Sequence, residues 1–333
     1  MTEEIEKKKD IQANGWSAGD RNGNIPHEKI NERFPDIKPS MQIIWKNVII
    51  MSYIHLFSVY AIVQLRHCFL KTLLFGFITG FFSELGVTAG AHRLWTHRSY
   101  KAKLPLRTFL MIINTLALQN SIFDWSRDHR SHHKYSETDA DPHNARRGFF
   151  FCHIGWLMVR KHPDVIRKGK NIPLNDLLDD PVIAFQRKYF LLLAPLCCFI
   201  IPSIIPWYFW GETLWNGYCM SVLRYCCVLN ITWTVNSFAH LFGDRPYDRT
   251  IHPAENYFVS LAAIGEGFHN YHHTFPSDYS TSEYGYRLNP TTAFIDLMAF
   301  IGQAYDRKST TKNAIQSRMK RTGKYSDIKE AGW

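Results

Sequence analysis

The sequence predicts an all-α membrane protein: four transmembrane helices, one apolar helix lying in the membrane interface, and a helical domain on the cytosolic side. Three observations predict it. Apolar residues are gathered into a few runs near the ~20 residues a bilayer core requires, instead of being dispersed in amphipathic periods. Histidines recur in short boxes outside those runs. The chain opens on the charged stretch Met1–Asp10 and stays polar to about Ser40, which predicts no cleavable signal peptide and membrane entry through the first internal span.

The elements follow in order. Residues 1–40 read as a polar tail, 41–305 as one domain and 306–333 as a second polar tail. Within the domain the spans fall at about 42–64, 72–91, 189–208 and 213–233. A fifth apolar run, 104–123, decides the topology. If it crossed, His92 and His97 would be parted from His129, His132 and His133 by ~30 Å of hydrocarbon, and no ligand set could be shared. One shared site therefore places 104–123 in the interface or inside the protein, where its Arg107, Asn114, Gln119 and Asn120 are tolerable. The same logic puts both termini on the metal side, which is read as the cytoplasmic one. Arg160, Lys161, Arg167, Lys168, Lys170, Arg187 and Lys188 all fall on that side, as the positive-inside rule asks, whereas Arg66 and Lys71 in a short turn run against it.

Composition narrows the partners. The net charge of +10 is scattered beside apolar spans with no nucleic-acid-binding motif, so it suits a cytoplasmic face or an anionic ligand and not nucleic acid. The seven cysteines show no CxxC spacing and sit mostly in apolar stretches, which predicts neither a disulfide framework nor thiol chemistry.

The histidines carry the chemistry. They read His92-RLWT-His97, His129-RS-His132-His133 and His269-NY-His272-His273, with His240 alone in NSFAH. An H-x-x-H-H box on a helix puts three imidazoles within an arc of about 100°, so two such faces can clasp a metal pair. His92 and His97 stand about 140° apart on a regular helix and can converge only if the helix ends between them. Imidazole suits iron, zinc, copper and nickel. Nine imidazoles are too many for one ion. A structural zinc is satisfied by four ligands, usually including cysteine, whereas two six-coordinate irons use nine nitrogens and leave room for dioxygen. Asp128, Glu137, Asp139, Asp141 and Glu266 are near enough in sequence to orient the rings. His27, His55, His67, His143, His153, His162 and His252 read as structural or exposed, and the residues alone leave His240 open.

The stretches GVTAGAHRLWTHRSYKAKLPLR, WSRDHRSHHKYSETDADPHNARRGFFFCHIGWLMVRKHP, NSFAHLFGDRPYD and GEGFHNYHHTFP resemble the membrane acyl-CoA desaturases, most closely the insect branch with its moth pheromone-type members. The resemblance runs from about Trp45 to Arg307. It implies four spans under a cytosolic di-iron domain, a fatty acyl-CoA substrate, dioxygen as co-substrate, cytochrome b5 as electron donor and residence in the endoplasmic reticulum. It implies that two irons are held by His92, His97, His129, His132, His133, His240, His269, His272 and His273, with Asn236 acting through water. It further implies that Asn47, Asn120, Arg127, Asp128, Arg160, Lys161 and Trp233 contact the coenzyme A thioester, whose phosphates suit cations. Gln119, Trp125, Thr232 and Trp233 match residues at the bend of the family's acyl tunnel.

The chain departs from that pattern in places. Gly80 and Glu84 stand where the closed end of the tunnel is lined by bulky Tyr and small Ala, so Gly80 is expected to deepen the tunnel, and Glu84 is an ionisable group at membrane depth. The tetrapeptide His252-Pro-Ala-Glu255 occupies the segment where insect enzymes of different regioselectivity carry different signatures and matches none of NPVE, KPSE or LPAQ. Double-bond position, of delta-9 or delta-11 type, stays open. An unactivated methylene has no proton for a side-chain base, so the protein's task is to position one methylene pair beside the irons. Two other readings remain in play: an acyl hydroxylase on the same histidine set, and a non-catalytic metal transporter or sensor. The latter is disfavoured because the boxes lie outside the spans.

Overall fold

The computed structural model describes residues 41–323, and these are mostly helical. Helix α1 is Trp45–Gln64, and α2 is Leu70–Leu85, which runs on without a break as a π-helix over Gly86–Thr96. The interfacial candidate is α3, Leu104–Ala117, followed by α4, Ile122–Tyr135. Helix α5, Pro181–Pro195, continues through a π turn into Ile201–Trp210, and α6 is Leu214–Leu241. Among the described residues three stretches are long and apolar enough to cross a membrane: Trp45–His67, Leu70–Thr96 and Pro181–Trp210.

The expected fourth span, 213–233, lies inside α6, which packs against α1, α2 and Ile201–Trp210. Its 28 residues give it about 42 Å of length, enough to span. It is more polar than the other three because it is the inner helix: Asn216, Arg224 and His240 are all buried in it. A helix shielded by neighbours does not need an apolar surface all round.

Helix α3 has only 14 residues, about 21 Å, which is short of a ~30 Å hydrocarbon core. The apolar run read as 104–123 is in fact two elements. Leu118 and Asn120 adopt left-handed backbone (φ 48° and 73°), which stops α3. The Ser121 hydroxyl then caps α4 by accepting from the Asp124 amide at 3.1 Å. The polar residues of the run are satisfied within protein: Gln186 of α5 accepts from the Ile122 amide at 2.8 Å and donates to Asn114 and Thr115. Helix α3 lies so close to the π-helix that a Cβ on Gly86 would stand 2.3 Å from the Asn114 amide nitrogen.

The main apolar core, which includes Leu85, Trp95, Leu110, Ile122, Ile183 and Ile295, sits around the end of α2 and fixes the metal-facing segments from behind. The third histidine box forms α7, His269–Thr274. A two-residue antiparallel pair, β1 (Lys101–Ala102) with β2 (Ala304–Tyr305), ties the chain after the first box to the chain well beyond the third. Part of the segment read as a C-terminal tail is helix α8, Lys312–Thr322, whose Ile315 is buried with Tyr247 and Tyr271 and whose Arg318 pairs with Asp248. Residues 1–40 and 324–333 lie outside the described part.

Candidate metal centre and acyl cavity

The nine imidazoles converge, and they do so as two nests. His92, His97, His129, His133 and His272 each offer one nitrogen to the first, and His132, His240, His269 and His273 to the second, with the nitrogens of each nest within 4.8 Å of one another. Helix geometry explains the division. On a box H-x-x-H-H, positions i and i+4 are about 40° apart while i+3 lies about 60° to the other side, so one helix addresses two centres. His129 and His133 point one way and His132 the other, and α7 repeats this in reverse, with His269 and His273 in the second nest and His272 in the first.

The first box corrects the expectation that its helix must end between the histidines. The helix instead widens: the His97 amide donates to the His92 carbonyl at 3.0 Å, an i to i+5 bond, and the two rings come to 4.8 Å between centroids. A π-helical stretch of this kind often marks a functional site. Sequence periodicity cannot show it, because the same residues fit an α-helix.

The donor set fits metal ions. The Nε2 atoms of His92 and His272 are 3.0 Å apart, as are those of His133 and His272 and those of His240 and His269. Metal–nitrogen bonds of about 2.1 Å meeting at right angles give about 3.0 Å between neighbouring nitrogens, against about 3.4 Å for a tetrahedron. Three rings are oriented from behind: His92 Nδ1 by Glu266 at 2.9 Å, His132 Nδ1 by Asp141 at 2.9 Å and His240 Nδ1 by Glu137 at 2.7 Å. With Nδ1–H donating to a carboxylate, each Nε2 presents a lone pair inward. Burial and neighbouring imidazoles hold His97, His129, His133, His269, His272 and His273 well below the usual histidine range, which keeps them in the neutral, ligating form. Burial alone would raise the Glu266 carboxyl; the Arg93 guanidinium and His92 bring it down to about 2.

Two of the five acidic candidates do not take this role. Asp139 is exposed. Asp128 pairs instead with Arg127 at 3.0 Å and with Lys161. Sequence reasoning missed Arg93 and His143. Arg93 is fully buried and donates to Glu266, Thr292, Asn289 and the Tyr279 carbonyl, pinning the first box to the loop that follows the third. Its signal was an arginine between two ligand candidates. His143 is buried with its ring centroid 4.3 Å from that of His132, and its only sequence signal was proximity to Asp141.

Beside the nests a cavity of about 250 Å³ is lined by Asn47, Gln119, Asn120, Trp125, Asp128, Thr232, Trp233 and Asn236, together with His129 and His143. Asn47 also donates to the Leu157 carbonyl at 2.7 Å, and Gln119 to the Thr232 hydroxyl at 2.7 Å. Arg160 is exposed at the surface. A smaller space of about 40 Å³ shares Trp125, His129, Thr232 and Asn236 with the larger one and adds Glu84, Val87 and Ala263. Gly80 lines neither; a Cβ there would meet Cγ of Arg224 at 3.6 Å.

A helical chain with membrane-crossing segments and two polyhistidine nests, each able to hold a metal ion, is a membrane protein of the polyhistidine type. Comparison with known proteins makes the class specific. A family profile described as fatty acid desaturase matches residues 70–286. The chain is 61% identical to stearoyl-CoA desaturase 5 of Bos taurus over 282 residues, 84% of each chain. It is 58% identical to stearoyl-CoA desaturase of Homo sapiens over 286 residues, covering 86% of this chain and 80% of the other. To stearoyl-CoA desaturase 2 of Mus musculus it is 55% identical over 286 residues, with the same coverage. The chain belongs to the fatty acid desaturase family, in its stearoyl-CoA desaturase-like branch.

Proposed function

We propose that the protein is an acyl-CoA desaturase that holds two iron ions in its histidine nests and inserts a cis double bond into a saturated fatty acyl-CoA. Electrons come from cytochrome b5, and the enzyme resides in the endoplasmic reticulum membrane with four spans, α6 supplying the fourth, and both termini in the cytosol. The observation that carries this reading is the 5 + 4 division of the nine imidazoles beside a cavity of about 250 Å³. Family membership and the three membrane-crossing stretches support it.

Bound iron supplies the reductive activation of dioxygen that removal of hydrogen from an unactivated methylene requires. In the overall reaction dioxygen takes two hydrogens from the chain and two electrons and two protons from donors, and leaves as two waters. The residues do the positioning. Arg127 and Lys161, both paired with the cavity-lining Asp128 and the former also with Asp124, are the cations suited to coenzyme A phosphates. Asn47 and Asn120 supply polar contacts at the thioester end, while Trp125, Gln119, Thr232 and Trp233 shape the passage past His129. Asn236, which lines both spaces, would hold a water toward the nests.

Expression in a desaturase-deficient yeast, with mass analysis of its lipids and location of the double bond, tests the reaction. New cis alkenes are expected. Hydroxy acids without alkenes would replace this reading with hydroxylation.

A further inference from the structure

Glu84 stands where nothing in the desaturation reaction requires a carboxylate. It belongs to a stretch long and apolar enough to cross a membrane, its side chain is buried, and its Oε1 has no hydrogen-bond partner. The buried Arg224 does not pair with it: its Nη1 and Nη2 donate to the Ser83 hydroxyl and to the carbonyls of Leu116 and Cys198, and its Nε is itself without a hydrogen-bond partner. The Glu84 side chain instead lines the small annex of about 40 Å³, faced by the Thr232 hydroxyl.

Two properties of the annex define what fits it. Its volume exceeds the ~10–15 Å³ a water-sized group needs but is far below that of an extended alkyl segment. It also opens on Trp125, His129 and Asn236, which the larger cavity shares, while the thioester-side residues Asn47 and Asp128 line only the larger one. His92 and His269, one from each nest, line the annex as well, so it lies beside the nests on the side away from Asn47 and Asp128, which on the acyl-CoA reading is the methyl side. A purely aliphatic chain leaves Glu84 Oε1 unpaired, and an unsatisfied buried acceptor is costly; a hydroxyl on the chain satisfies it.

Building on the acyl-CoA reading above, we infer that Glu84 and the Thr232-faced annex bind a hydroxyl on the acyl chain, so that the preferred substrate is a hydroxylated fatty acyl-CoA. The hydroxyl lies a few carbons to the methyl side of the methylene pair held at the nests. The reaction at that pair is unchanged, and the hydroxyl is neither made nor consumed.

Anaerobic equilibrium binding to the full-length protein in lipid nanodiscs tests this without turnover. The probes are stearoyl-CoA and a set of analogues, each carrying one hydroxyl in the methyl-side half of the chain. At least one analogue should bind about tenfold or more tighter than stearoyl-CoA. Glu84→Ala should abolish that preference, and Glu84→Gln, which keeps a carbonyl acceptor, should retain most of it. Equal binding of all probes by the parent protein means that the annex holds only water and overturns the proposal. A preference that survives Glu84→Ala overturns it too. Should Glu84→Ala fail to fold, loss of the preference in Glu84→Leu together with its retention in Glu84→Gln decides in favour, and any other pattern decides against. Aerobic turnover separates this from the general reading: a Glu84-dependent binding preference with no alkene formed from any probe keeps the site and removes the desaturase reaction.

Discussion

His92 and His97 are five residues apart and share one nest, because an i to i+5 hydrogen bond closes the helix between them. Removing either leaves its nest with four nitrogens. His97→Ala should leave the first nest holding its ion more weakly, so that a chelator strips it sooner than from the parent protein, and should abolish alkene formation, with membrane insertion intact because the side chain lies off the spans. The check is metal analysis of purified protein after timed exposure to a chelator, beside His162→Ala, a histidine outside both nests, which should keep both ions as the parent does.

Asp141 accepts from His132 Nδ1 and from the amides of Glu137 and His143, and is held well below the usual carboxylate range, burial being outweighed chiefly by His132. Asp141→Asn can no longer fix the ring in its ligating tautomer. Its metal affinity should fall by about 10–100-fold, whereas Asp139→Asn, at an exposed neighbour, should leave it unchanged. Titration with a competing chelator measures both.

These two cases show what could be read from sequence. The boxes were legible because three histidines at helical spacing are hard to explain otherwise, and the same-side argument for 104–123 needed only the thickness of a bilayer. The division into nests was not legible, since it depends on how α4 and α7 face each other. Nor was the π-helix, which changes the direction of His97 without changing any residue. Asp139 and Asp141 looked equivalent, and only the turn geometry separates the exposed one from the buried one. Arg93 was overlooked because a cation beside two ligands reads as unfavourable until its carboxylate, Glu266, is seen across 173 positions of chain.

Arg127 and Lys161 meet at Asp128. If they bind the phosphates of coenzyme A and nothing in the reacting segment, Lys161→Ala should raise KM for acyl-CoA by about tenfold or more with kcat changed less than about twofold. Steady-state kinetics in microsomes tests the separation. An equal fall in kcat and kcat/KM would place Lys161 in the reacting geometry instead.

Glu255, in the His252-Pro-Ala-Glu255 segment, accepts from the Tyr271 amide at 2.7 Å and so braces α7, while Asn270 donates to the Pro253 carbonyl. Burial pushes its carboxyl up to about 8. A group whose pKa is raised in the folded state gives full stability below the unfolded value near 4.5 and loses it as pH rises through 8. Relative to the parent protein, Glu255→Gln should gain stability progressively from pH 4.5 to 8 and hold that gain above pH 8. Thermal unfolding in detergent across pH 5–9 gives the comparison, and parallel curves would remove Glu255 from the pH response.

The proposal that the nine imidazoles form two iron sites is tested most directly by counting the metal. Protein purified from iron-replete cells without chelators should hold about two irons per chain, bound in nitrogen-rich sites by X-ray absorption. A single metal per chain, or zinc held tetrahedrally in either nest, would contradict it.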